Sequence, residues 1–161
     1  MLVVMEIEGP RLVLRDAVPP DEPALRRILA APEVARWWGE VDDLDGMLAV
    51  TLDGQVIGAI QYDEEEDPQY RSASIDIFLD PAHHGRGYGT EAVRTLAGWL
   101  IEVRGHRRLT IDPAAHNTAA IRAYEKVGFK RVGVMRAYER DPETGVFHDG
   151  LLMDLLAEEL I

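Results

Sequence analysis

The chain has 161 residues, 47% of them hydrophobic, enough to bury one core and too few for two ordinary domains, so residues 1–161 are expected to form one compact domain. Its 17 basic and 29 acidic side chains give a formal net charge of −12, a field that repels nucleic acid and anionic membrane and attracts cationic ligands. The absence of cysteine excludes disulfides, thiolate metal sites and a cysteine nucleophile together, so any covalent catalysis uses another residue.

At the start of the chain, residues 1–5 form too brief an apolar run for a signal sequence before Glu6 and Glu8, and no 18-residue apolar run occurs, which predicts a cytosolic protein. Residues 12–15 alternate as a first strand, and residues 23–30 read as a helix with Asp21 as its cap. Trp37 and Trp38 close the next segment, as the packed end of a helical hairpin or as an open aromatic surface. Leu48, Val50 and Leu52 mark a strand that meets residues 56–62 across Asp53-Gly54, a strong hairpin signal. The acidic run from Asp63 to Asp67 reads as a solvated loop, or as a lure for a cationic substrate beside Gln61 and Tyr62.

A strand over residues 72–79 stops at Asp80 and Pro81. A helix over residues 90–103 follows, with Ala92, Val93, Leu96, Ala97, Leu100 and Ile101 on one face and Gly105 as terminator. Residues 108–111 form a short strand ended by Asp112 and Pro113; Asn117 then caps a helix over residues 118–127 that Gly128 stops. Residues 129–138 and 151–156 are the closing strands, separated by the turn-rich residues 141–145. The order β-α-(α)-β-β-β-α-β-α-β-β predicts a mixed α/β domain with a largely antiparallel sheet flanked by helices.

Between the strand at 72–79 and the helix at 90–103, Gly85, Gly87 and Gly89 stand at every second position. Glycines there let the backbone take positive φ and bring successive N–H groups onto an anion at the positive end of the following helix, so the ligand carries phosphates. The Gly-Lys-Ser/Thr ending of a Walker loop and the spacing of the dinucleotide fingerprint are both missing. The five histidines, His83, His84, His106, His116 and His148, lack metal-ligand spacing, and there is no Gly-x-Ser-x-Gly elbow; neither a metal site nor a serine triad is expected.

His84-Gly85-Arg86-Gly87-Tyr88-Gly89 resembles the acyl-CoA signature of the GNAT N-acetyltransferases, Gln/Arg-x-x-Gly-x-Gly/Ala, with His84 in place of the usual first residue. A second block, Asn117, Ala120, Ile121, Tyr124, Glu125, Lys126, Gly128 and Phe129, is similar to that family's Asn-x-x-Ala-x-x-x-Tyr-x-x-x-Gly-Phe. The resemblance covers the order of elements along the whole chain. It implies the GNAT acyl-CoA N-acyltransferase fold with acetyl-CoA held by Ile77, Phe78, Leu79, His84, Gly85, Arg86, Gly87, Tyr88, Gly89, Thr90, Asn117, Ala120 and Tyr124, between strands that splay to admit the pantetheine arm. It also places the Tyr124 phenol near the sulfur, as proton donor to the thiolate; packing in the core is its other reading.

An amine attacks a thioester only as the free base, so a carboxylate is needed as well, and Asp76 and Asp112 are the candidates. Asp112 also suits a turn before Pro113. Trp37-Trp38-Gly39, Gln61, Ile75-Asp76, Ile111-Asp112-Pro113 and Asp149-Gly150 together resemble the aminoglycoside 6′-N-acetyltransferases. That narrower likeness implies an acidic acceptor pocket formed by Trp37, Trp38, Gln61, Asp76, Asp112 and Asp149, with Asp76 as base. The start Arg11-Leu12-Val13-Leu14-Arg15 is similar to acetyltransferases of ribosomal-protein N-termini and small amines. The alternatives are therefore acetylation of a protein N-terminus or other small amine, or an acyl-CoA-binding module without catalysis. A small cationic amine is the expected partner of a monomer or homodimer.

Overall fold

The computed structural model describes residues 5–161; Met1, Leu2, Val3 and Val4, most of the opening apolar run, lie outside the described residues. The elements run β1 (Glu6–Glu8), β2 (Leu12–Asp16), α1 (Glu22–Leu29), α2 (Pro32–Trp38), β3 (Leu48–Leu52), β4 (Gln55–Glu65), β5 (Ser72–Leu79), α3 (Tyr88–Glu102), β6 (Arg108–Ile111), α4 (Thr118–Val127), β7 (Lys130–Arg140) and β8 (Phe147–Leu156). Among the described residues eight strands form one sheet in the order β1-β2-β3-β4-β5-β6-β8-β7, antiparallel except where β5 meets β6.

Local chemistry explains most of the element ends. Asp53 and Gly54 both take positive φ, +50° and +80°, the geometry of a two-residue hairpin turn, and join β3 to β4. Asn117 caps α4 by accepting the Ala120 N–H, and Gly128 ends it at φ +118°. Leu12, Leu14, Leu96, Leu100, Leu109 and Leu155 are fully buried in the larger cluster beneath α3 and α4. A smaller cluster of Leu25, Ile28, Val34, Ala59 and Phe78 sits under α1 and α2. Along β5 the alternation sends Ala73, Ile75 and Leu79 to the first and Phe78 to the second, so β5 separates the two packing layers.

Several expectations are corrected. β1 is an additional strand, with Ile7 buried between exposed Glu6 and Glu8. Asp21 does not cap α1 with its side chain: it is buried and paired through both oxygens with Arg15, at 2.7 and 2.9 Å, while Oδ2 also accepts the Val18 N–H. The acidic run is not a loop until Glu66, because β4 continues to Glu65 against Ser72 of β5, and Glu64 is engaged by Arg104 and His106. The closing hairpin is longer than its sequence suggests, with β7 reaching Arg140 and β8 starting at Phe147. Among the described residues no helix is long and apolar enough to cross a membrane.

Candidate active site

β5 and β6 are paired only at Ala73–Leu109 and Ser74–Thr110 and then part. Beyond Ser74 a cavity of about 1290 Å³ opens between them, with walls from α2, β4, the glycine loop, α4 and β7. Trp37, Trp38, Gln61, Asp76, Ile77, Phe78, Leu79, His84, Gly85, Gly87, Tyr88, Gly89, Thr90, Asp112, Asn117, Ala120 and Tyr124 all line it. Two expected members are elsewhere. Arg86 is exposed and meets Arg11 through its carbonyl, and Asp149 is spent on the backbone, its Oδ1 accepting the Ala137 N–H at 2.8 Å.

One end of the cavity is made of backbone. Gly85 and Gly87 have φ of +75° and +82°, a left-handed conformation that a Cβ disfavours, and Gly87 leads directly into α3. Their N–H groups meet no protein acceptor among the described residues, and the first N–H groups of α3 lack intrahelical partners as at any helix start. His84 turns inward: its Nε2 lies 2.9 Å from the Leu79 carbonyl, so it donates there and ties the loop to the end of β5. On the facing wall, Lys126, part of the second block, and Arg122, which no motif singled out, add cationic groups from α4. Free N–H groups, a helix start, two cations and a parted strand pair fit a long phosphate-bearing thioester ligand such as acetyl-CoA.

At the opposite end the walls are side chains. Asp76 is reached by water through the open cleft but surrounded by its walls, and this burial, reinforced by the nearby charge of Asp112, pushes its carboxyl up to about 7 despite the Ile77 N–H it accepts. Tyr124 is buried at 9% exposure and edge-on to Phe129 at 6.5 Å, yet it lines the cavity. Burial first, then the charges of Asp76 and Asp112, push its phenol well above the ordinary tyrosine value, so it keeps its proton. Asp112 accepts the hydroxyl of Tyr138 at 2.8 Å.

Trp37 and Trp38 divide their roles. Trp38 is packing, with Nε1–H donating to the Ile77 carbonyl at 3.2 Å and its ring edge-on to Phe78 at 4.9 Å. Trp37 stands at the mouth, with Arg36 over one ring face at 4.5 Å and His116 at 5.0 Å. Sequence reasoning missed Tyr138, Glu139 and His148, which reach the cavity from the long hairpin, whereas Asp63, included in the acidic run read as a lure, reaches it from β4. Burial, with the charge of Asp112, pushes the Glu139 carboxyl up against the opposing pull of His148. Among the described residues no group of three or more His, Asp or Glu is arranged to hold a metal.

Comparisons with known proteins agree with this geometry. A profile of the Acetyltransferase (GNAT) family matches residues 12–129. The aminoglycoside N(6′)-acetyltransferase type 1 of Klebsiella pneumoniae is 36% identical over 96 residues, 52% of this chain and 47% of that protein, so this chain spans about half the length of that relative. The kanamycin resistance protein of Rhizobium radiobacter is 40% identical over 75 residues, 46% of this chain and 68% of that protein. The structure of RimJ from Mycobacterium smegmatis in complex with CoA-disulfide superposes with a TM-score of 0.83 at 22% identity, covering 98% of this chain and 88% of that one, a likeness of fold. With its glycine cradle, parted strands and match over residues 12–129, the chain belongs to the Acetyltransferase (GNAT) family.

Proposed function

We propose that this chain transfers the acetyl group of acetyl-CoA directly to a primary amine in the cytoplasm, and that the acceptor is the 6′-amine of an aminoglycoside, conferring resistance to it. The observation that carries the reading is the grouping of Asp76, Asp112 and Tyr124 around one cleft whose other end offers a phosphate cradle. Acetyl-CoA supplies the acetyl thioester. Asp76, held near the titration point of neutral solution, takes a proton from the bound ammonium; the N–C bond forms as the C–S bond breaks, Tyr124 gives its proton to the departing thiolate, and the proton shed by the acetylated nitrogen restores the Tyr124 phenol. Asp112, with Asp63 and Glu139 nearby, suits the further ammonium groups of a polycation, and the net charge of −12 favours its approach. The similarity to an aminoglycoside N(6′)-acetyltransferase and a kanamycin resistance protein supports this acceptor.

The test is thiol release from acetyl-CoA with kanamycin or tobramycin against analogues carrying a 6′-hydroxyl, N-terminal peptides and polyamines. Release with the 6′-amines alone is expected. Release with an N-terminal peptide and none with any 6′-amine replaces the acceptor, and release with no amine leaves an acyl-CoA-binding module.

A further inference from the structure

The β7–β8 ladder breaks its register beside the acceptor end. Met135 faces Gly150 and Glu139 faces His148, so Arg136, Ala137 and Tyr138 lie opposite the single residue Asp149. The extra length is taken up by Ala137 at φ +47°, a conformation unfavourable for any residue with a Cβ. Asp149 offsets this by accepting the Ala137 N–H at 2.8 Å. Gly150 leaves the necessary room, since a Cβ there would stand 2.8 Å from Cδ2 of Tyr138. The Tyr138 ring therefore lies across the Gly150 backbone, and its hydroxyl reaches over β8 to Asp112 Oδ2 at 2.8 Å.

Asp112 is exposed at the end of β6, and this is the one hydrogen bond its carboxylate accepts among the described residues. Without it the side chain is free to rotate into solvent. We infer that Tyr138 is a positioning residue of the acceptor site, locking the Asp112 carboxylate toward the cleft through a hydrogen bond that the Asp149–Ala137 bulge delivers; this rests on Asp112 being an acceptor carboxylate. The bond occupies Oδ2 and leaves Oδ1 open to an ammonium group. The phenol donates throughout the neutral range, because its bond to Asp112 and the charge of that carboxylate push it up to about 12. The ring, 48% exposed, is also a wall of the cavity, so the same residue that orients Asp112 borders the space it faces.

A double-mutant cycle on thiol release with kanamycin tests the proposal in the full chain. Tyr138→Phe keeps the ring and is expected to raise the kanamycin KM about fivefold, the size of one net hydrogen bond, with the acetyl-CoA KM unchanged. In an Asp112→Ala background the same substitution should add nothing, because the residue through which it acts is gone. Asp149→Ala, which retains both partners, should raise the kanamycin KM by a similar factor, an effect that also vanishes with Asp112→Ala. A Tyr138→Phe effect of the same size with and without Asp112, an effect on acetyl-CoA affinity instead, or an unchanged kanamycin KM overturns the inference. Failure of the unsubstituted chain to release thiol with kanamycin overturns the acceptor reading, and this inference with it; additive losses in an active protein overturn the role of Tyr138 alone.

Discussion

The two ends of the cleft are built on different principles. At the cofactor end, the left-handed Gly85 and Gly87, the first turn of α3 and the unpaired half of β5 present backbone to the ligand, and side chains such as His84 serve to hold that backbone in place. At the proposed acceptor end, Trp37, Asp76, Asp112, Tyr138 and His148 arrive from α2, β5, the end of β6, β7 and β8, and they are held by contacts such as those of Trp37 and His148 with His116 and of Asp112 with Tyr138. A site made of backbone depends on φ, ψ and helix starts, and so on a few glycines. One made of side chains depends on topology and on every residue that aims another, which makes it the end where substrate choice varies without loss of the fold.

The sharpest division falls at the junction of the two ends. Tyr124→Phe keeps the ring and its packing against Phe129 while removing the hydroxyl, so kcat should fall about 10² to 10⁴-fold, the usual loss on removing general-acid assistance, with acetyl-CoA affinity intact. Single-turnover measurements of the chemical step check it; near-normal turnover would return Tyr124 to a packing role. Next in size is Gly87→Val, which forces a β-branched residue to φ +82° at the cradle. The unliganded loop relieves the strain by leaving the cradle conformation, and regaining it costs about 1–2 kcal/mol, so acetyl-CoA affinity should drop about five- to thirtyfold by calorimetry, while acceptor binding is unaffected.

How much of this the sequence revealed follows the same division. α4 was readable from end to end because Asn117 and Gly128 carry their own capping chemistry, and the Asp53–Gly54 turn needs nothing beyond its two residues. Asp21, by contrast, sits where a helix cap belongs and serves instead as the partner of Arg15 on β2. Glu64 reads as one of five consecutive acids, yet its partner Arg104 lies 40 residues further along. Asp149 was identified by its neighbour Gly150 and placed with the acceptor carboxylates; its carboxylate supports the bulge, and the residue the bulge delivers, Tyr138, has no local signature at all. Periodicity and caps report on the chain within one turn or strand, whereas these assignments were decided by strand neighbours.

Asp76 gives a pH-dependent way to separate the ends. In the role of base proposed for it the active form is the carboxylate, so kcat/KM for the acceptor should rise with pH along a limb of apparent pKa about 7. Asp112→Ala removes a like charge and should move that limb to lower pH, with the acetyl-CoA dissociation constant staying flat across the same range. The same shift bears on stability: the folded value lies above the ordinary 3.8, so the native state binds the proton more tightly and stability falls as pH rises from about 4 towards about 7. Asp76→Asn should accordingly raise the melting temperature at pH 8, the gain shrinking as pH falls towards 4, and should abolish the kinetic limb. A melting temperature indifferent to pH in both proteins would mean that the cleft leaves Asp76 fully hydrated.

The smallest expected effect probes whether the cofactor end is as indifferent to side chains as its construction implies. Arg11, in the turn between β1 and β2, contacts the loop at two points: its Nη1–H donates to the Arg86 carbonyl at 3.3 Å, and its guanidinium lies 4.5 Å above the Tyr88 ring. It is anchored there by Glu91 of α3, which meets its Nε at 2.7 Å. Burial pushes the Glu91 carboxyl up, but the Arg11 side chain and the N–H groups of Arg11 and Leu12 outweigh it and hold the carboxyl below the usual range. Arg11→Ala leaves both N–H donors to Oε2 of Glu91 in place while Oε1 loses its one partner, and the fold should survive at some cost in stability. What is lost is an exposed cation and two contacts to the loop, worth about 0.2–1 kcal/mol by analogy with surface ion pairs, and acetyl-CoA affinity should weaken about two- to fivefold with the acceptor KM unchanged. A loss as large as that of Gly87→Val would show that the cradle is set by a side chain 76 positions before it in the sequence as much as by its own glycines, and the contrast between the two ends would have to be redrawn.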